Sequence, residues 1–259
     1  MRNLVERRSL LFQLVRRDFQ LRFVGSAIGW IWGLIHPLVL LLSWVYVFQV
    51  WLQQPPPGGI PYPLFIFSGM LPWLLFSDTV QRSASSLLDH SNLITKSVFP
   101  SEIVPLSVFL SSLVSHLLAM VLMIGGVALE LHKFSAGLLL LPVYMFLVGL
   151  LSVGLGWVMA GLHVFLRDTA QFLSVVLTFW FWMTPIMIPE QRAPDYRIVH
   201  LLLAANPMTY AVRAYRSALL PNHWAAPMDI AILGACGLTV FILGGFFFRY
   251  LKRGFADVL

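Results

Sequence analysis

A charge-free stretch near the start of the chain is the feature that most limits how it can fold. No Asp, Glu, Lys or Arg occurs between Val24 and Ser77. This stretch is far longer than the roughly 20 apolar residues that one transmembrane helix requires. The sequence PPPGG at residues 55–59 interrupts it, and such a run of Pro and Gly is typical of a turn. We therefore predict a hairpin of two spanning helices, at about residues 30–52 and 61–80.

The rest of the chain has the same apolar character. Hydrophobic residues make up 59% of the 259 residues and charged residues 11%, whereas ordinary soluble domains carry about 25% charged residues. Because a helix satisfies its own backbone hydrogen bonds in lipid, long uncharged runs are expected to be spanning helices. We predict an all-α integral membrane protein with a single domain, residues 1–259. Its six spans are expected at residues 30–52, 61–80, 103–129, 137–163, 170–189 and 230–248.

The basic residues predict the orientation of these spans. Lys and Arg are enriched in the cytoplasmic segments of membrane proteins, and the segment before the first span contains six arginines. With an even number of spans, both termini face the same side, and most of the 17 Lys and Arg residues then fall on that side. We therefore predict that both termini are cytoplasmic.

The segment before the first span, residues 1–29, is amphipathic. At 100° per residue, its apolar side chains form one stripe and its polar side chains lie opposite. The apolar stripe comprises Leu11, Phe12, Val15, Phe19 and Phe23, and the polar side comprises Gln13, Arg16, Arg17 and Gln20. A helix of this kind lies in the membrane surface with its arginines toward the lipid phosphates. We predict such a helix over about residues 8–22; a plain cytoplasmic anchor is the alternative.

The predicted cytoplasmic loop, residues 81–102, is long enough to contain a short helix at about residues 89–98. That helix should end at Phe99, because the residue before a proline, here Pro100, avoids the helical conformation.

The longest predicted external segment, residues 190–229, also contains a helical pattern. Asn206 is expected to cap a helix over residues 206–220 that has Pro207 at its first position. The same helix carries Tyr210, Arg213 and Tyr215. We interpret it as a re-entrant lid or gate, and a solvated amphipathic loop is the alternative.

The sequence contains no recognisable motif for catalysis, metal binding or nucleotide binding. Chemistry on a lipid or sugar needs clustered carboxylates or histidines, and the candidates occur singly, at Asp78, His36, His116 and His163. Cys and His lack the spacing of a zinc site. None of the three lysines follows a glycine, which excludes a phosphate-binding GxxxxGK[ST] loop. We assign no catalytic residue, no metal ligand and no cofactor, and expect any ATPase to be another chain.

Aromatic side chains are concentrated in the first and fifth predicted spans. The first span has aromatic residues at helical spacing, Trp44, Phe48 and Trp51. The fifth span has a run of four aromatic residues that begins at Phe179 and ends at Trp182. One interpretation is that these side chains anchor the spans at the membrane interfaces or pack between helices. The other is that they line a pathway, where aromatic planes stack on the apolar faces of sugar rings.

Five segments, in this order on six spans, resemble the membrane subunit of the second type of ABC exporter. This bacterial family exports O-antigen, capsule and teichoic-acid chains. The likeness covers the whole chain and is closest to the O-antigen (lipopolysaccharide) branch. The segments are RRDFQLRFVGSAIGWIWGLIHPLVLLL at 16–42, KSVFPSEIVPL at 96–106, FLRDTAQF at 165–172, NPMTYAVRAYR at 206–216 and FRYLKRGFADVL at 248–259.

The resemblance implies a homodimer in the bacterial inner membrane, bound to two copies of a separate ABC ATPase. ATP and Mg would bind to that partner, and the cargo would be a lipid-linked polysaccharide. No nucleic-acid partner is expected. The first external loop, QVWLQQPPPGG, is unusually rich in Trp and Pro and departs from the family pattern.

The resemblance also implies roles for particular residues. The ATPase would dock on the short cytoplasmic helix, which holds Asp89, His90, Asn92, Leu93 and Lys96. The substrate entrance would lie beside the interfacial helix, at Arg16, Arg17 and Arg22. The pathway between the two copies would be lined by Trp44, Phe48, Trp51, Phe179 and Trp182. The external gate would include Asn206, Pro207, Tyr210, Arg213 and Tyr215.

Two other functions stay open from the sequence. A drug or small-lipid exporter of the same fold would share the motifs but would not need a wide aromatic pathway. A membrane-embedded enzyme that modifies glycans would need a pair of essential carboxylates, which cannot be assembled from the sequence.

Overall fold

The computed structural model describes residues 8–22, 29–55, 57–92, 100–221 and 226–255. Within these ranges the chain is helical and has no β-strand, which confirms the all-α prediction. The helices are α1 (Arg8–Leu21), α2 (Trp32–Val45, continued as a π-helix over Tyr46–Trp51), α3 (Tyr62–Asp89), α4 (Ile103–Glu130), α5 (Leu141–Phe165), α6 (Thr169–Met183), α7 (Arg197–Ala205), α8 (Pro207–Leu219) and α9 (Pro227–Leu251). Short 3-10 turns occur at Gly29–Ile31, Pro57–Gly59, Ala136–Leu140, Glu190–Arg192 and Lys252–Gly254.

Five described segments are long and apolar enough to cross a membrane. They are Trp32–Trp51, Tyr62–Asp89, Ile103–Glu130, Ala136–Phe165 and Pro227–Gly254, and they correspond to five of the six predicted spans. The remaining prediction, at residues 170–189, coincides with α6, which has 15 residues. At 1.5 Å per residue α6 is about 22 Å long, which is shorter than the roughly 30 Å hydrocarbon core of a bilayer.

Although it is short, α6 connects the two ends of the helix bundle. At its start, Gln81 of α3 donates a hydrogen bond to the backbone oxygen of Ala170 at 3.1 Å. Just beyond its end, Asn206 donates to the Thr184 hydroxyl at 3.0 Å. We call these the α1 end and the α8 end of the bundle, after the short helix that lies at each. The six-span topology stays a prediction, because α6 alone is shorter than the hydrocarbon core of a bilayer. The non-helical residues 184–189 would have to cross the remaining thickness.

The first and last described segments lie together at the α1 end. Lys252, just after α9, contacts the carboxylate of Glu102 at 2.9 Å, next to the start of α4. α1 packs against α4 as well, and Arg22 donates hydrogen bonds to Ser112 and Ser115 of α4 at 3.0 Å. The side of the membrane on which the termini lie stays a prediction.

α3 is the central helix of the bundle and is longer than predicted. In an 18-residue apolar stretch of α3, 78% of the residues are buried. In the corresponding stretch of α2 only 11% are buried, so α2 lies at the periphery. α3 continues past the predicted end of the span at residue 80 to Asp89. Polar side chains in this extension have hydrogen-bond partners. Arg82 pairs with Asp18 of α1, and the Ser86 hydroxyl donates to the backbone oxygen of Ser83.

α5 and α9 approach each other closely at a pair of glycines. A Cβ atom added at Gly244 of α9 would lie 2.2 Å from the backbone oxygen of Gly154 on α5. A Cβ atom added at Gly154 would lie 2.6 Å from the backbone oxygen of Val240. Small residues allow backbones to approach in this way, and membrane helices depend on such packing because lipid provides little hydrophobic driving force between them.

We expect Gly244→Ala to lower the free energy of unfolding by about 1–3 kcal/mol, because the added methyl group cannot be accommodated without separating α5 from α9. The measurement is thermal or denaturant unfolding of the purified protein in detergent. Gly125→Ala on α4 is the matched control, since a Cβ atom there meets nothing within 4 Å. It should leave stability unchanged or slightly higher. Equal losses in the two variants would contradict the close contact.

Candidate functional site

The α8 end of the bundle is organised by the side chain of Asn206. Its Oδ1 accepts hydrogen bonds from the backbone N–H of Met208 at 2.9 Å and from the indole Nε1–H of Trp180 at 2.8 Å. Its Nδ2 donates to the Thr184 hydroxyl at 3.0 Å. Asn206 therefore caps α8 and also ties that cap to the end of α6. The prediction that Asn206 caps a helix with Pro207 in its first position is confirmed.

α8 is a buried helix, so the alternative of a solvated amphipathic loop is wrong. Nearly all its side chains from Met208 to Leu219 are buried, with Arg213 as the exception. α8 packs against α3, α5 and α9, and the Tyr215 hydroxyl shares a hydrogen bond with Nε2 of His116 on α4 at 3.2 Å. The Tyr210 hydroxyl donates to the backbone oxygen of Ala204 at 2.7 Å, which holds the turn between α7 and α8.

Arg213 is the partly exposed residue of α8, and it joins three segments. Its guanidinium forms ion pairs with Glu190 and with Asp229 at the start of α9, the latter at 3.1 Å. The hydrogen bond from Arg213 to Glu190 raises the pKa of the guanidinium, which therefore stays charged at physiological pH. The pair holds the 3-10 turn at Glu190–Arg192 against α8.

Arg216 is a functional-site candidate that the sequence analysis missed. It is only 6% exposed, and its Nη2 donates to the backbone oxygen of Ile186 at 2.7 Å. Its guanidinium carbon lies 3.7 Å from the centre of the Phe65 ring, in a cation–π arrangement. Arg216 comes four residues after Val212 and four before Leu220, so it falls on the apolar face of α8. This spacing is a signal in the sequence that could have predicted its burial.

α7 completes the α8 end as an amphipathic surface helix. Ile198, Leu201 and Leu202 expose between 42% and 63% of their surface. Exposed apolar residues on one face of a short helix fit a position in the membrane interface.

The five aromatic residues assigned to a pathway differ in their accessibility. Trp51, Phe179 and Trp182 are 72%, 68% and 58% exposed, and Trp44 is half-buried. Phe48 is 6% exposed and stacks on Tyr62 of α3 at 6.5 Å between ring centres. It is therefore buried between α2 and α3 and presents little surface to a substrate.

The π-helical end of α2 explains why Phe48 and Trp51 differ. An α-helix would place Trp44, Phe48 and Trp51 on one face, as the spacing predicted, but a π-helix bonds residue i to i+5 and rotates later residues away from that face. Trp51 accordingly contacts Tyr46, with 6.5 Å between ring centres. Trp44 instead meets α6, lying 5.2 Å from Trp182 and 5.7 Å from Phe181.

Two linked ion pairs join α1 to α3 at the α1 end. Arg82 Nη2 lies 2.5 Å from Asp18 Oδ2 of α1, and Arg22 Nη2 lies 2.6 Å from Asp78 Oδ2. Arg82 also lies 3.7 Å from Asp78, which connects the two pairs into one chain of charges. The hydroxyl of Ser112 on α4 donates to Asp78 at 2.6 Å. We call Asp18, Arg22, Asp78 and Arg82 the ionic cluster.

The three arginines assigned to a substrate entrance therefore have different surroundings. Arg16 and Arg17 are exposed, and their placement toward lipid phosphates stays a prediction. Arg22 is engaged in the ionic cluster and also donates to Ser112 and Ser115 at 3.0 Å. The apolar side of α1 is divided as well, because Leu14 is buried whereas Phe12 is 68% exposed.

The residues assigned to ATPase docking are only partly described. Asp89 is the last residue of α3 and accepts a hydrogen bond from Ser85 at 3.1 Å. His90 follows it and bonds through Nδ1 to the backbone oxygen of Ser86 at 2.9 Å. Asn92 is exposed. Leu93 and Lys96 lie outside the described residues, so the short helix predicted at residues 89–98 stays a prediction.

A cavity of about 490 Å³ lies beside the ionic cluster, between α2, α3, α4 and α6. A second cavity, of about 250 Å³, lies near the α8 end and is bordered by Phe48, Trp182, Glu190 and Leu203. Among the described residues no three His, Cys, Asp or Glu side chains are placed to hold a metal ion.

The chain was compared with known protein families and with individual proteins. Residues 9–220 match the family model described as ABC-2 type transporter. The chain is 30% identical to the O-antigen export system permease protein RfbA of Myxococcus xanthus, over 99% of this chain and 97% of that protein. It is 25% identical to an RfbA of Klebsiella pneumoniae, over 96% and 95% of the two chains. It is also 23% identical to the polysialic acid transport protein KpsM of Escherichia coli, over 89% of each.

We expect Asp18 and Arg82 to be energetically coupled, because each is mostly buried and would leave the other unpaired if removed. In a double-mutant cycle of Asp18→Asn and Arg82→Gln, unfolding in detergent should give a coupling energy of about 1–3 kcal/mol. A parallel cycle with Arg17→Gln and Arg82→Gln is the control and should be additive, since Arg17 is exposed. Additive effects in both cycles would contradict the link between α1 and α3.

Proposed function

Because the chain belongs to the ABC-2 type transporter family, we propose that it is the membrane-spanning permease of an ATP-driven exporter. The cargo is a lipid-linked polysaccharide, the O-antigen of lipopolysaccharide. The observation that carries this proposal is similarity along nearly the whole chain to O-antigen export permeases from two organisms. The similarity to KpsM supports capsule polysaccharide as the second candidate cargo.

The proposed complex contains two copies of this chain and two copies of a separate ABC ATPase in the bacterial inner membrane. ATP and Mg bind to the ATPase, since this sequence has no phosphate-binding loop. The termini face the cytoplasm, and the segment at residues 89–98 docks on the ATPase. The support for the docking site is its position, because it follows directly from α3, the central helix of the bundle.

The proposed pathway runs between the two copies, along α2 and α6. These helices bury few of their own side chains: Pro37 and Phe48 in α2, and Leu173 and Leu177 in α6. They therefore present a broad surface for a second copy and for cargo. Trp51, Phe179 and Trp182 supply exposed aromatic faces on this surface, and aromatic stacking on sugar rings lets a long chain slide because the contact is not directional.

The proposed mechanism couples the two ends of the bundle. ATP-driven closure of the ATPase dimer moves the docking segments and, through α3, shifts the population between inward-open and outward-open arrangements. At the α8 end, Asn206 and Arg213 hold α6, α8 and α9 together, so this gate moves as a packed unit. A glycan-modifying enzyme is a weaker alternative, because the carboxylates of Asp18 and Asp78 are both paired with arginines.

A strain that lacks this chain tests the function directly. Lipid-linked glycan should accumulate on the cytoplasmic face of the inner membrane and disappear from the cell surface, as assayed on the two membrane faces. Expression of the wild-type chain should restore surface glycan and serves as the control. Glycan that is missing or altered on both faces would assign the protein to synthesis and contradict the proposal.

We expect Trp182→Ala to lower the rate of polysaccharide export about two- to tenfold, because one stacking surface on the pathway is lost. The measurement is surface glycan per unit of membrane-inserted protein. Phe246→Ala on α9 is the matched control, since Phe246 is 65% exposed and α9 packs mainly against α5 and α8. Equal export by the two variants would argue against a pathway along α2 and α6.

A further inference from the structure

A small hydrophobic cluster at the α1 end is separate from the main core of the bundle. Its buried members come from α3, α4, α5, α9 and the residue that follows the turn after α9. They are Leu87, Val104, Ala160, Val164, Phe248 and Phe255. We call these six residues the end cluster. Four helices therefore meet in one packed group of side chains at this end of the bundle.

The end cluster contains residues from both flanks of the segment proposed to dock on the ATPase, residues 89–98. Leu87 lies just before that segment and Val104 lies just after it, and both side chains are fully buried. Because closely packed side chains resist compression, a displacement of either flank is passed on to the residues packed against it. The end cluster is therefore placed to carry a displacement of the docking segment into α5 and α9.

An ion pair adds a second link on the later flank. The ammonium group of Lys252 donates hydrogen bonds to both carboxylate oxygens of Glu102, each at 2.9 Å. The backbone oxygen of Glu102 accepts a hydrogen bond from the indole N–H of Trp157 on α5 at 3.0 Å. Glu102 immediately precedes α4. This one residue therefore joins the start of α4 to α5 and to the end of α9.

Phe255 fixes the turn from which Lys252 reaches Glu102. Phe255 is 2% exposed, and its ring centre lies 5.5 Å from that of Phe248 on α9. Its backbone N–H donates to the backbone oxygen of Lys252, which closes the 3-10 turn after α9. The buried ring thus anchors the turn, and the turn places the Lys252 side chain beside the carboxylate.

The two links differ in how much the fold depends on them. The side chains of Lys252 and Glu102 are 37% and 35% exposed, and ion pairs at such exposure stabilise a fold only slightly. Phe255 is buried, so truncation of its ring also removes packing. The ion pair is therefore the link that a substitution can break while the bundle stays folded.

We propose that Lys252 and Phe255 are positioning residues for export, which hold the end of α9 to the flanks of the docking segment. This inference rests on the proposed docking of the ATPase at residues 89–98. When the ATPase closes, α5 and α9 move together with the docking segment through these contacts. The link from Glu102 through Lys252 to α9 adds a second route to the one through α3. Without it, ATP hydrolysis continues, but less polysaccharide crosses the membrane for each ATP.

A charge exchange between positions 102 and 252 tests the ion pair. The full-length protein is reconstituted with its ATPase in proteoliposomes that contain lipid-linked polysaccharide, and the measured quantity is polysaccharide translocated per ATP hydrolysed. Glu102→Lys and Lys252→Glu should each lower this ratio about threefold, because two like charges then face each other. The double variant, Glu102→Lys with Lys252→Glu, should return the ratio to near the wild-type value, because the pair forms again with its charges reversed.

Arg253→Glu is the matched control for this exchange. Arg253 lies in the same turn, is exposed, and undergoes the same change of charge, so its ratio should equal that of the wild type. Wild-type ratios in both single variants, or no recovery in the double variant, would overturn the inference. Loss of ATP hydrolysis and export in equal proportion would leave the ratio unchanged. That result would give the pair a merely structural role and would also overturn the inference.

Two variants of Phe255 test the end cluster in the same assay. Phe255→Ala removes the ring that anchors the turn and should lower the polysaccharide translocated per ATP about threefold. Phe255→Leu keeps an apolar side chain and should retain most of the wild-type ratio. Tyr250→Ala is the control, since Tyr250 is 73% exposed on α9. A wild-type ratio in Phe255→Ala would overturn the role of Phe255.

The wild-type complex separates this inference from the proposed function. A wild-type complex that hydrolyses ATP but translocates no polysaccharide would contradict the proposed function itself. A wild-type complex that exports, while the single variants keep its ratio, would overturn only the role of Lys252 and Phe255.

Discussion

A short helix buried inside a membrane bundle needs hydrogen-bond partners for the backbone groups at its ends, because lipid supplies none. In this chain the partner at the start of α8 is the side chain of Asn206. The same amide also bonds to Trp180 and Thr184, so the group that makes burial of α8 possible also fixes where α6 ends. The positions of α6, α7 and α8 thus depend on one side chain that is itself only 5% exposed.

Both ends of the bundle combine charged pairs with packing. At the α8 end, Arg213 pairs with Glu190 and Asp229, and the buried Arg216 lies over the ring of Phe65. At the α1 end, the ionic cluster joins α1 to α3. The paired side chains at the two ends are between 14% and 38% exposed. Each set of ion pairs joins segments that are distant in the sequence, so the two ends depend on tertiary contacts as much as on local helix formation.

Local signals in the sequence predicted the parts of the fold that depend on local physics. Long uncharged runs predicted six spanning helices, five of which correspond to long apolar helices in the described residues. Asn206 followed by Pro207 predicted the start of α8. The ionic cluster could not be predicted in this way, since Asp18 and Arg82 are 64 positions apart and no periodicity relates them. The π-helical turn after Val45 likewise changed the face occupied by Trp51, which an assumed α-helical period cannot anticipate.

Exposure alone does not separate a pathway from a lipid-facing surface, because aromatic residues of α9 such as Phe246 and Tyr250 are also exposed. Trp44 and Trp182 differ in that they belong to a connected layer of aromatic rings. Trp44 contacts Trp182 and Phe181, and Phe181 contacts Trp73 of α3 at 5.6 Å between ring centres. Side chains supported in this way lose little conformational freedom when a sugar ring stacks on them. If the proposed pathway runs along α2 and α6, these supported rings suit a polymer that makes many weak contacts in succession.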